Sequence, residues 1–225
     1  MDNSTFVAAA AHDMKNSVSV IAAYLEDALA RMADDPPSAA AQSTAQALYE
    51  TQRVNGHLVQ LLALFKIEEG MYPFEPMEVE LGEFTTELLG RARPLAALRG
   101  QALRCDMQAG LTHWVFDRDL IDSVVMQALF NAVRYAGRSV QLCLRAHEGR
   151  LQIEVADDGP GFPEAMLAVG YPSRQGINAR TGSTGLGLYF AHLAAALHGR
   201  GAASGSTQLV NGGALGGGRF IVELP

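Results

Sequence analysis

From Phe6 to Ala33 the chain contains neither glycine nor proline, and apolar side chains return at Val7, Ala11, Met14, Val18, Ile21, Leu25, Ala28 and Met32. The intervals alternate between four and three, the period of an amphipathic helix with a narrow seam. Ser4 or Thr5 offers a cap at its start, and DDPPS at 34–38 ends it, because proline removes a helical hydrogen bond. A second helical run covers about 39–69, with Leu48, Val54, Leu58, Leu61, Leu62 and Phe65 on one side and Gly70 as a stop. Two long helices with a short connection predict an antiparallel hairpin over residues 1–70. A lone hairpin leaves much of each seam wet, so two copies are expected to dimerise into a four-helix bundle.

MYPFEP at 71–76 breaks this pattern, and residues 71–78 read as a linker. Beyond it the period changes. Helical runs near 81–99 and 118–136 mix with strand-like runs at 102–108, 112–116, 139–146 and 150–157. The last two, SVQLCLRA and RLQIEVAD, alternate apolar with polar residues around a short turn at 147–149. A glycine-rich stretch, a helix near 185–198 and a closing strand GRFIVELP complete the chain. Residues 79–225 thus predict an α+β domain, a mostly antiparallel sheet with helices on one face. GGALGGG at 212–218 reads as a flexible hairpin loop with no further role.

Composition narrows the class. Of 225 residues, 48% are hydrophobic and 18% charged, an ordinary globular balance. The formal net charge of −7 argues against a nucleic-acid-binding surface. Cys105 and Cys143 have no metal-like spacing and read as reduced thiols. No apolar run is long enough for a bilayer, and MDNSTF lacks the character of a signal peptide. A cytoplasmic location is expected.

Four stretches could carry chemistry. His12 lies about 200° around the helix from Met14 and about 100° from Ala11, off the seam and facing outward. Lys15, Asn16 and Ser19 share its face. A carboxylate at Asp13 can hold one imidazole tautomer and leave the other nitrogen as a nucleophile; a solvated polar face is the plain alternative. Asn131, in LFNAVRYAG, offers an amide oxygen to Mg²⁺, Arg134 a guanidinium to phosphate and Tyr135 a ring to a base; a surface polar residue beside a half-buried tyrosine is the alternative. In VADDGPGFP, Asp157 ends a strand, where it can accept a hydrogen bond from an exocyclic amine, while Gly159 and Gly161 admit close approach; an ordinary turn is the alternative. In GSTGLGL, Gly182, Gly185 and Gly187, with the hydroxyls of Ser183 and Thr184, precede a helix whose first N–H groups suit an anion. Neither glycine-rich stretch fits a P-loop or a dinucleotide fingerprint.

Taken together and in this order, the four resemble the H box (HDMKN), N box (NAVRYA), G1 box (DDGPG) and G2 box (GSTGLGL) of the sensor histidine kinases of two-component signalling. The resemblance covers nearly the whole chain. It implies a helical-hairpin dimerisation and phosphotransfer domain followed by an α/β sandwich of the Bergerat type that binds ATP with Mg²⁺. His12 would take the γ-phosphate, with Asp13 orienting it and helping to accept its proton. Asn131 would coordinate Mg²⁺, Arg134 would sit near phosphate, Tyr135 would flank the nucleotide and Asp157 would read the adenine amine. Gly159, Gly161, Thr184, Gly185, Leu186 and Gly187 would frame the nucleotide. The phosphoryl group would pass to an aspartate on a response regulator receiver domain, and Asn16 would position water for the opposing phosphatase reaction.

The chain departs from the family in places. Gln127 stands where an earlier asparagine is usual, and GYPSRQGINARTG, with Arg174 and Arg180 as phosphate contacts, replaces a phenylalanine-bearing lid. Eleven residues precede the H box, so the input is expected from a longer chain, a separate sensor protein or the bundle itself. The competing readings are a phosphotransfer adaptor with a weakened ATP domain, a related ATPase or serine kinase without histidine chemistry, and a protein acting mainly as a phosphatase.

Overall fold

The structure, a computed structural model, describes residues 3–31, 39–168, 185–199 and 203–225. It forms two units, Met1–Pro73 and Phe74–Pro225. In the first, α1 (Asn3–Arg31) and α2 (Ala39–Glu68) pack along one another. The 29 residues of α1 span about 43 Å at 1.5 Å per residue. The seven positions 32–38 reach at most about 25 Å, so the helices run antiparallel. The Glu26 carboxylate accepts from the Gln52 amide across them, at 3.3 Å.

The seam of α1 divides in two. Ala11 is buried and Val18 and Leu25 are half-buried, whereas Met14 and Ile21 are 59% and 51% exposed. Three residues turn a helix by about 300°, so the two sets lie roughly 60° apart. Only the first is covered.

In the second unit β1 (Met77–Glu80) pairs antiparallel with β3 (His113–Phe116), Met77 opposite Phe116. Met77 and Glu78, expected in the linker, are therefore the first residues of a strand. At its end Glu80 caps α3 (Leu81–Leu98), its carboxylate accepting from the Gly82 and Glu83 N–H groups. The main sheet has the order β2-β4-β5-β7-β6, built from β2 (Ala102–Met107), β4 (Ser139–His147), β5 (Arg150–Asp157), β6 (Ser206–Asn211) and β7 (Gly218–Leu224). Its β2–β4 pair is parallel and the others antiparallel.

α3, α4 (Arg118–Tyr135) and α6 (Leu186–Leu197) cover one face, onto which Val140, Leu142, Leu144, Leu151, Ile153 and Val155 project by alternation. Phe84 meets Phe116 edge-on at 5.3 Å between centroids. The outer face is polar, with Arg145 paired to Asp106 and Arg219 to Glu154. A short α5 (Glu164–Ala168) follows β5. Among the described residues no helix is long and apolar enough to cross a membrane.

Candidate functional site

The two units carry separate groups of the candidate residues. On α1, His12 projects outward: its side chain is 61% exposed and that of Asp13 86%. The Asp13 carboxylate lies 3.6 Å from His12 Nδ1, and the Asn16 side-chain amide, one turn on, lies 3.4 Å from the same nitrogen. Both neighbours address Nδ1. The two contacts select opposite tautomers: the carboxylate favours Nδ1–H, which leaves the lone pair on Nε2, whereas the Asn16 amide N–H can donate only to an unprotonated Nδ1.

In the second unit α4 is the axis. Its buried side holds Leu120, Ile121, Val124, Val125, Leu129 and Val133. Gln127, Asn131, Arg134 and Tyr135 follow at +4, +7 and +8 on the other side, and the last three are exposed. Tyr135 is 55% exposed rather than half-buried. The Arg134 guanidinium lies 5.4 Å from the centroid of that ring, a cation–π contact.

Both ends of α4 are tied down. At the start Asp117 Oδ1 accepts from the Leu120 N–H at 3.0 Å and Oδ2 from the Glu75 N–H at 3.1 Å. The Asp117 N–H donates to His198 Nε2 at 2.9 Å, while His198 Nδ1–H donates to the Ala194 carbonyl at 2.7 Å. These bonds fix the tautomer of His198, and burial lowers its pKa, so it stays neutral. At the C-terminal end Gln101 donates to the carbonyls of Val133 and Ala136, at 3.0 and 2.8 Å.

The G1 stretch lies against that C-terminal end. A Cβ on Gly159 would meet the Tyr135 carbonyl oxygen at 2.5 Å, so only glycine fits. Asp158 makes the connection. Its Oδ1 accepts from the N–H groups of Gly137, Arg138 and Ser139 at 2.8, 2.9 and 3.1 Å. These bonds, that of Arg138 foremost, hold the carboxyl below its ordinary pKa.

Asp157 is 8% exposed at the end of β5. Its Oδ1 accepts from Gly159 N–H at 2.8 Å and Gly218 N–H at 3.3 Å. Among the described residues these bonds engage Oδ1 and not Oδ2. The hairpin loop between β6 and β7 contributes here, contrary to the expectation of no role. The Gly217 N–H donates to the Asp157 carbonyl at 3.1 Å, and a Cβ on Gly217 would overlap that oxygen.

The G2 stretch reaches α4 from the other side. Gly185 caps α6 in the left-handed region at φ 63°, with no side-chain cap. The first N–H groups of α6, beginning at Leu186, thus have no capping side chain from Gly185. A Cβ on Gly187 would overlap the Gln127 amide, so the start of α6 rests on that side chain. Thr184, Ser183, Gly182, Arg174 and Arg180 lie outside the described residues.

The structure thus gathers Asn131, Arg134, Tyr135, Asp157, Gly159, Gly161, Gly185, Leu186 and Gly187 around α4, and His12, Asp13 and Asn16 on α1. Sequence reasoning missed Asp158, Gln101, Asn211 and Gly217. The NG pair at Asn211–Gly212 was a readable hairpin signal; nothing local marks Gln101 as a helix cap.

A buried carboxylate at a strand end, close-packed glycines and the polar face of α4 lie together in the second unit. Residues 116–225 match the family of histidine kinase-, DNA gyrase B- and HSP90-like ATPases. Histidine protein kinase DivJ of Caulobacter vibrioides is 29% identical over 86% of this chain and 33% of its own length. Sensor protein CopS of Pseudomonas syringae pv. tomato is 28% identical over 70% of this chain and 32% of its own. Full-length ShkA, solved in complex with AMPPNP, has a similar fold, with a TM-score of 0.66 at 20% identity over 98% of this chain and 45% of that one. Residues 116–225 thus resemble that ATPase family, and the chain as a whole is similar to sensor histidine kinases. It spans about a third of the length of CopS and DivJ.

Proposed function

We propose that the chain is a protein histidine kinase that phosphorylates itself on His12 from ATP and passes the phosphoryl group to an aspartate of a response regulator. The observation that supports this reading is the Asp13 carboxylate beside His12 Nδ1, which favours a lone pair on Nε2, in a chain whose residues 116–225 resemble an ATPase family. The nucleotide analogue in ShkA and the names of CopS and DivJ support the same reading.

In the transfer, the His12 Nε2 lone pair forms the bond to the γ-phosphorus as the bond to the β–γ bridging oxygen breaks, and ADP leaves. Positive charge then develops on the ring. The Asp13 carboxylate at Nδ1 stabilises it and takes up the Nδ1 proton. Oδ2 of Asp157 accepts from the adenine amine, Gly159 and Gly161 let the G1 loop pack against Tyr135 and Asn211 beside it, and the start of α6 faces phosphate. The Asn131 amide fits Mg²⁺, which takes few protein oxygens beside phosphates and water. When bound, that ion neutralises phosphate charge. Arg134 reaches phosphate by leaving Tyr135, whose ring it then frees for the nucleotide.

Asn16 takes a second part. Within one turn of His12 it can place water for hydrolysis of the regulator's aspartyl phosphate, so the same helix face serves phosphatase activity. The exposed Met14 and Ile21 form the surface through which two hairpins join as a four-helix bundle, with residues 1–70 the dimerisation unit and residues 79–225 the catalytic one.

The test is incubation with γ-labelled ATP followed by candidate receiver domains from the same genome. Label that appears on the chain and moves to a receiver is the expected result. Label that never leaves the chain, with every receiver tried, would contradict the transfer step.

A further inference from the structure

We infer that Asn211 is a positioning residue for adenine recognition, an inference that rests on Asp157 reading the adenine amine. Asn211 ends β6, opposite Gly218 on β7. Its side chain is exposed, yet it addresses a single residue with both amide atoms. Oδ1 accepts from the Phe162 N–H at 2.7 Å, and Nδ2 donates to the Phe162 carbonyl at 2.8 Å. The amide thus acts as an extra rung of sheet, pairing both polar groups of a loop residue that β6 itself does not reach.

The consequence passes to Asp157 in two contacts. With Phe162 clamped, its ring lies over Gly218: a Cβ there would meet Phe162 Cε2 at 3.1 Å and Asp157 Oδ2 at 3.1 Å. The Gly218 N–H in turn donates to Asp157 Oδ1. The same clamp holds Gly161 at φ 78°, its α-carbon so near Asn211 that a Cβ would meet the amide oxygen at 2.7 Å. Releasing Phe162 frees the ring that confines Gly218, and the oxygen opposite, Oδ2, loses its fixed direction toward the amine. Asn211 touches no part of the nucleotide in this account; it acts through Asp157.

A general loosening of the fold would weaken all nucleotides alike. Loss of aim at one amine weakens only those that carry it. The full chain is therefore titrated with ATP and with purine riboside triphosphate, which has hydrogen in place of the 6-amino group. The wild type is expected to prefer ATP. Asn211→Ala is expected to lower ATP affinity about fivefold, the scale of one misdirected hydrogen bond, and to leave the analogue within about twofold. Asn211→Asp keeps the size and the acceptor but turns oxygen toward the Phe162 carbonyl, and should show the same selective loss if the alanine variant does not fold. Asp157→Asn separates the two levels. If it abolishes the preference while folded Asn211 variants keep it, the inference is overturned. If Asp157→Asn itself keeps the preference, the adenine reading of Asp157 is wrong, and the inference falls with it.

Discussion

Replacing Gly217 by alanine should damage the nucleotide site and the fold together. Its backbone lies outside the left-handed region, so alanine has no conformational objection there. The obstacle is space: a Cβ would overlap the Asp157 carbonyl and meet Gly159 N at 2.6 Å and Asp157 Oδ1 at 2.7 Å. Two of these atoms are backbone and the third is already hydrogen-bonded, so no flexible side chain can give way. Making room separates the β6–β7 loop from β5 and breaks the Gly217–Asp157 and Gly218–Asp157 bonds, of 3.1 and 3.3 Å. Two bonds at about 1 kcal/mol each, with about 1–3 kcal/mol for overpacking, give about 3–5 kcal/mol. Gly216→Ala is the control, since that site is open but left-handed at φ 85°, and should cost about 1 kcal/mol. Urea unfolding reads the stability and a nucleotide titration the affinity. A Gly217→Ala protein within about 1 kcal/mol of wild type, binding ATP normally, would refute this packing.

Other expectations follow from the same geometry. Burial lowers the pKa of His198, so the unfolded chain binds the proton more readily; the stability from the neutral ring is complete above about pH 6.5 and is lost as pH falls below it. The melting temperature should drop between about pH 7.5 and about pH 5.5, less so in His198→Leu, and an identical slope in both would exclude His198 as the source. Gly187→Ala should cost about 1–3 kcal/mol by displacing Gln127, and Gln127→Ser in the same chain should restore most of it; no recovery would place the clash elsewhere. Ile21→Glu should shift the protein toward monomer in analytical ultracentrifugation, and an unchanged association state would remove Ile21 from the interface. Asn131→Ala should lose Mg²⁺-dependent ATP turnover while keeping metal-free nucleotide binding, a separation visible in paired titrations.

What could be read in advance depended on the range of the interaction. α3, α4, β4 and β5 carry their own period, and their observed limits differ from the expected ones by one residue at most. β1 escaped because four residues after a proline-rich stretch have no pattern of their own; β3, some 36 positions on, makes them a strand. Asn131, Tyr135 and Asp157 stood out because chemistry and position coincide in short motifs. Asp158 stood beside Asp157 without distinction, since its partners are backbone N–H groups at 137–139. Gly217 looked like one more glycine in a flexible loop, and contact with β5 gives it a steric reason. The seam of α1 was correct in period, but the hairpin covers only one of its two rows.

The most direct test of the central claim is the fate of label from γ-labelled ATP on the wild type and on His12→Gln. The wild type should acquire an acid-labile, base-stable phosphate that mass spectrometry places on His12. The variant should acquire none while binding ATP with unchanged affinity, because every residue proposed to hold the nucleotide lies in the second unit, residues 74–225. Label of the same stability retained on His12→Gln would contradict the account.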